Sequence, residues 1–175
     1  HLYHDRPQVA AAAIRALSEW PDSTPEATLL SVATSARHDV HRILGLRGYV
    51  RMLSLDTTRT VTENVEKYRG AMALAQNAGE QRMVLSGLAA VQTAEALDFA
   101  AEFLGDANLQ QEASVTAIKI ARALLGQNVP AMSTTLRRVS EVVGAEHLRA
   151  QADSLAEAAM AIEDYLTDWQ VAGPF

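Results

Sequence analysis

Apolar residues recur every three or four positions in segment after segment of this chain, and the intervals between those segments carry Pro, Gly, Thr and Asn. That periodicity predicts helices rather than strands. The first covers residues 6–20, with Val9, Ala13, Leu17 and Trp20 at helical spacing and Pro7 suited to a first turn. Pro21 ends it. The second covers 21–36, with Thr24 as candidate N-cap, Pro25 at the first helical position and an apolar stripe of Leu29, Leu30, Val32 and Ala33. The third, 38–55, places Val40, Ile43, Leu44, Tyr49 and Val50 on compatible faces. The fourth, 60–78, opens with Thr62 as candidate cap and acids in the first turn, and Gly79 closes it. Segments 80–91 and 93–105 follow, the latter with Thr93 as cap and Gly105 as stop. Segments 109–126, 131–144 and 145–166 complete roughly nine helices with short links. The expected core includes Leu17, Leu46, Leu85, Leu88, Ile118 and Leu124.

The helical pattern repeats. Ile14–Leu17 aligns with Leu46–Tyr49 at an offset of 32, Leu88 follows Tyr49 by 39, and Ile120 follows Leu88 by a further 32. Periods of about 30 to 45 residues with two helices each mark stacked helical hairpins, because one hairpin cannot hide its own apolar face. The expected fold is therefore all-α: an α-solenoid of HEAT or armadillo type, a right-handed superhelix spanning residues 1–168. The Thr-rich connection 56–62 reads as a lengthened link that leaves the stack undisturbed.

The last residues break the pattern. Trp169, Val171 and Phe175 are bulky and β-prone, and Gly173-Pro174 cannot continue a helix. Residues 169–175 are expected to be a linker or the first strand of a following domain. The chain starts at His1 rather than Met, so we expect it to be part of a longer gene product.

Composition narrows the function. The 175 residues are 49% hydrophobic and only 5% aromatic, with runs of alanine that suit close helix packing. Net charge is −6, which argues against a general nucleic-acid binder. The absence of cysteine excludes disulfides and thiolate chemistry. No apolar run approaches the roughly 20 residues of a membrane span.

The segments "RPQVAAAAIRAL", "RILGLRGYVRML", "EQRMVLSGLA", "EALDFAAEFL" and "IEDYLTDWQVAGPF", in this order, resemble the HEAT-like repeat module of large exported bacterial proteins of Planctomycetes and Bacteroidetes type. In that family the module often adjoins a domain similar to 3-keto-disaccharide hydrolase. The resemblance implies a non-catalytic scaffold or interaction module in a periplasmic or secreted, carbohydrate-related protein. It implies a protein partner or an adjacent domain of the same chain, with glycan as a further candidate; no cofactor is expected.

Candidate chemistry is sparse. His38 and His41, like His1 and His4, stand three residues apart, a spacing that puts two imidazoles on one helix face, and Asp39 lies between the first pair. They are the candidate metal ligands, although the sequence specifies no third or fourth donor. Arg37, Arg42, Arg47 and Arg51 crowd the third helix, and Arg15 occupies the place of Arg47 in the first repeat. Arg47 and Arg51, one turn apart, are the candidate interaction surface for carboxylates or other anions. The structural reading of the same row is a ladder, with guanidinium groups reaching Asp or Glu of the adjacent repeat. Glu63, Glu66 and Lys67 read as a solvated face, as do Glu157, Glu163 and Asp164. Ser86-Gly87 lacks the glycines of a nucleophile elbow. Gly45 and Gly48 fall inside a helix, where small size permits close packing. Tyr49, Met52, Tyr68 and Met72 read as core. The alternative function is a lyase- or hydrolase-like enzyme using residues on a concave face, and converging ionisable groups would be its signature.

Overall fold

A computed structural model describes residues 6–127, 129 and 132–167, without the side chains of 162–167. About 75% of the described residues are helical, and no strand occurs among them. The helices are α1 (Pro7–Ser18), α2 (Glu26–Ser35), α3 (Asp39–Leu55), α4 (Val61–Leu74), α5 (Ala78–Leu88), α6 (Ala94–Ala101), α7 (Gln110–Leu124), α8 (Met132–Val142) and α9 (Glu146–Thr167). The expected all-α class is therefore what the chain adopts. The expected junction at 169–175 lies outside the described residues, as do His1 and His4.

The helix boundaries have local causes, and several differ from those the sequence suggests. The cap of α4 is Thr60, not Thr62: its side chain accepts from the Glu63 N–H, and the Glu63 carboxylate accepts in return from the Thr60 N–H at 2.9 Å. This reciprocal pair satisfies two donors that a bare helix end would leave open. Gly79 does not close α4; it lies inside α5, which Asn77 caps by accepting from the Glu80 N–H at 3.0 Å. Thr93 caps α6 as expected, accepting from Ala96. Gly105 falls beyond the end of α6 at Ala101, and the residue with a positive φ is instead Gly126 (96°), just past α7. At α2 no side chain caps the helix, and Pro25 sits before the first helical residue rather than at it.

The described residues group into two compact units, 1–91 and 92–175, where a single domain is expected from the repeats. In the first unit, α1, α3 and α5 run in the same direction. Near their starts, His41 reaches the Pro7 carbonyl and Arg42 reaches Glu80. Near their ends, Arg51 reaches Ser18, and Gly87 lies against Val50. α2 runs opposite to α3. A Cβ on Gly45 would sit 2.8 Å from the Ala33 backbone nitrogen, and one on Gly48 would strike Ser18 and Leu29. These two glycines let α3 settle close to its neighbours, as expected of them. Leu46, Met52, Leu53, Tyr68, Leu85 and Leu88 are fully buried around this seam.

In the second unit, α7 and α9 run in the same direction with α8 opposed. The Gln110 amide at the start of α7 donates to the Val142 carbonyl at the end of α8. Farther along α7, Arg122 donates to Gln151 of α9 at 2.9 Å. Ala113, Ala117 and Ala121 form a buried stripe on α7, and Ala152, Ala156 and Ala159 one on α9.

Five of the six expected core residues are buried. Leu17 is the exception and is half-exposed. The stripe Val9–Ala13–Leu17–Trp20 is not the inner face of α1; Val9 is 41% and Trp20 46% exposed. α1 buries Ala10, Ala11 and Ile14 instead. Close packing on α3 admits small side chains along the contact, which overrides the larger but misplaced apolar stripe. Val40, at 60% exposure, is likewise outside the core.

Candidate functional site

The most buried ion pair described in the first unit belongs to the arginine row of α3. Arg42 is buried, and its guanidinium donates to both oxygens of Glu80, Nη1 to Oε2 at 2.8 Å and Nη2 to Oε1 at 2.6 Å. Glu80 also accepts from the Gln76 N–H at 2.9 Å and from the Asn77 side-chain amide at 2.7 Å. The Arg42 guanidinium is the largest of the causes that hold the Glu80 carboxyl down, to about 2. Four donors thus converge on one carboxylate, and it is fully ionised at neutral pH. The ladder reading of the arginine row holds here, because Arg42 crosses from α3 to a carboxylate of α5. The sequence signal for it is the Asn77-x-x-Glu80 cap pattern, whose Glu80 stands 38 residues after Arg42.

Arg51 behaves differently. Its Nη1 donates to the Ser18 and Trp20 carbonyls, both at 2.8 Å. It caps the C-terminal end of α1, where carbonyls lack helical partners and a cation suits the dipole. Arg47, one turn away, is exposed and bonds to none of the described residues. Arg37 and Arg15 are also exposed. The two expected surface arginines are therefore a pair in spacing but not in role.

His41 is buried and its Nε2 lies 2.9 Å from the Pro7 carbonyl. A carbonyl only accepts, so Nε2 carries a proton, and in the neutral ring only Nδ1 keeps a lone pair. His38 meets His41 edge to face, with ring centroids 5.3 Å apart. Among the described residues, no group of three or more His, Asp or Glu side chains could hold a metal ion.

A second cluster was not foreseen. Glu26, at the start of α2, pairs with Arg59 and, at 2.8 Å, with Lys67 of α4. Arg59 also pairs with Asp56 at 3.0 Å. The connection 56–60 between α3 and α4 is thus tied back to the start of α2 rather than passive. Its signal in the sequence is one acid, Asp56, and one base, Arg59, three residues apart in a Thr-rich link.

The second unit holds a cleft of about 350 Å³ between the start of α7 and the α8–α9 connection. Gln110, Gln111, Val142 and Gly144 line it, and no titratable side chain does. It offers amide and backbone hydrogen bonds but no acid, base or nucleophile. Tyr49, Met52, Tyr68 and Met72 are all buried, as expected of core residues. Burial pushes the Tyr68 hydroxyl up, and it donates to the Gly87 carbonyl at 3.0 Å.

No family model, curated protein or solved structure matches the chain. No helix among the described residues is long and apolar enough to cross a membrane.

Proposed function

We propose that the chain is a non-catalytic helical-repeat interaction module, an α-solenoid of HEAT or armadillo type whose outer helical face receives a protein partner or an adjacent domain. The observation that carries this reading is the register of α1, α3 and α5. Their cross-links pair residue 7 with 41, 18 with 51, 42 with 80 and 50 with 87. Successive odd helices are therefore displaced by a near-constant 33 to 38 residues and run in one direction. That is how stacked hairpins share a core, and such stacks bind through extended faces rather than pockets. The ionisable groups that are buried serve this stacking: Arg42 with Glu80, and His41 with Pro7. The resemblance to modules of exported bacterial proteins supports a periplasmic or secreted site in a carbohydrate-related protein.

The test is photo-cross-linking in the intact protein. A photoreactive residue at position 15 or 47 should capture a partner or a neighbouring domain. The same residue at Ser31 of α2 or Gly70 of α4, both exposed on the other layer, should not. Equal capture from both layers, or capture only from the cleft at Gln111, overturns the reading.

A further inference from the structure

The two units differ sharply in charge. Residues 1–91 carry ten Lys and Arg against nine Asp and Glu, whereas 92–175 carry five against twelve. The contrast is concentrated on two helical faces.

In the first unit α3 is packed by α1, α2, α4 and α5, so one stripe of it remains exposed: Val40, Arg47, Arg51 and Ser54. Arg15 on α1 stands at the height of Arg47, because Ser18 lies beside Gly48. Arg82 on α5 stands about one turn lower, because Glu80 lies beside Arg42. Arg15, Arg47 and Arg82 are exposed and make no ion pair among the described residues. The exposed acids on or next to these three helices are Asp39, at the far end of α3, and Glu19, just past α1. In the second unit, α6 and its C-cap residue present Glu95, Asp98 and Glu102 at positions i, i+3 and i+7, all exposed and on one face. Glu95 and Asp98 pair with no cation among the described residues.

We propose that the arginine face of α1, α3 and α5 docks on the acidic face of α6 in a second copy of this chain. This inference rests on the reading of the odd-helix face as an interaction surface and names its occupant. Charge complementarity carries it. The cations are all arginine, whose planar fork matches carboxylates with two parallel hydrogen bonds. The acids recur once per helical turn, and the arginines sit on neighbouring parallel helices, so several pairs form at once. Two copies each of net charge −6 repel at long range, which screening over about 8 Å at physiological salt removes while close pairs persist. The contact is heterologous: each copy offers one face of each kind, so copies join head to tail in a closed ring or an open chain.

Sedimentation of the full chain over a range of concentrations tests this. The wild type should self-associate, about tenfold more weakly at high salt than at low salt. The variants R15Q/R47Q and E95Q/D98N, which neutralise one face each, should each stay monomeric and keep the wild-type circular-dichroism spectrum. Mixed together they should form a one-to-one complex that grows no further, because only one complementary pair of faces survives. A wild type that is monomeric at every concentration overturns the proposal. So does association indifferent to salt and to both variants, or a mixture that does not combine. If position 47 cross-links to a different protein while the wild type stays monomeric, the self-docking is wrong and the interaction-module reading stands.

Discussion

Arg42 and Glu80 lie 38 residues apart and meet inside the first unit through two parallel hydrogen bonds of 2.8 and 2.6 Å. Their side chains are only 10% and 5% exposed. Removing one partner leaves an ion buried without its counter-charge, which costs roughly 3–5 kcal/mol, whereas replacing both with apolar groups of similar volume is often close to neutral. Glu80→Gln should therefore lower stability by about 3–5 kcal/mol, and Arg42→Met with Glu80→Leu by less than about 1.5 kcal/mol. Urea melts of the two singles and the double provide the cycle. Equal losses in the single and the double would mean that Glu80 acts through the α5 cap alone.

The same pair sets an acid limit. Glu80 has its carboxyl pKa lowered in the folded state to about 2, first by the Arg42 hydrogen bonds. A depressed acid stabilises the fold above its unfolded pKa, near 4.3, and loses that contribution as pH falls through the folded value. Stability should thus decline between about pH 4.3 and pH 2 in the wild type. In the Arg42→Met, Glu80→Leu double this part of the decline should vanish. Thermal melts across that window measure it, and an identical slope in both proteins would assign the acid sensitivity elsewhere.

Much of the helical frame is legible in the sequence because helix ends announce themselves locally. Thr93 caps α6 where a Thr before an apolar run suggests it, and the repeat offsets of 32 and 39 fall close to the structural offsets of 33 and 38. The buried face of a helix is less legible. In α1 the largest apolar residues, Val9, Leu17 and Trp20, suggest one face, but the helix approaches α3 along Ala10, Ala11 and Ile14. Alanine carries little hydrophobic weight, so a pattern reading undervalues it where a close approach is the deciding factor. The partner of Arg42 was not legible for another reason. A ladder of this kind names a class of partner, Asp or Glu of the next hairpin, while the choice of Glu80 depends on the precise register of α3 on α5 and on Asn77 turning the chain there.

Close approach also yields a contrast between glycines. A Cβ at Gly87 would press on Val50 and lie 3.3 Å from the Tyr68 ring, whereas one at Gly70 would meet nothing within 4 Å. Gly87→Ala should destabilise by about 1–3 kcal/mol through overpacking. Gly70→Ala, inside α4 and open to solvent, should stabilise by about 0.5–1 kcal/mol, since it restricts the unfolded chain and suits a helix. Denaturant midpoints of the two variants should move in opposite directions. A shift of the same sign would mean that α3 and α5 are not in the contact described.

The start of α4 gives a sharper test of a single cap. Thr60 accepts from Glu63 and is bonded back by it, while Thr62 is exposed within the first turn. Thr60→Ala should cost about 0.5–2 kcal/mol. Thr62→Ala should change stability by less than about 0.5 kcal/mol, as surface substitutions usually do. If Thr62→Ala proves the costlier of the two in urea melts, the helix begins two residues later than Val61.

Arg47 and Arg51 look interchangeable in sequence, yet they predict opposite phenotypes. The Arg51 guanidinium is held by the Ser18 and Trp20 carbonyls, closing the end of α1. Arg51→Ala removes charge-assisted bonds at a helix C-terminus and should cost about 1 kcal/mol, a value kept small by solvent exposure. Arg51→Lys should recover most of it, because a single nitrogen, Nη1, serves both carbonyls and an ammonium carries three donors. Arg47→Ala removes no bond among the described residues and should shift stability by less than about 0.5 kcal/mol. In a binding measurement the order reverses: Arg47→Ala weakens association directly, while Arg51 is already engaged and contributes less. Stability and association measured on both variants separate the roles. An Arg47→Ala that melts earlier than Arg51→Ala, with association unchanged, would make Arg47 the structural residue and Arg51 the one available to a partner.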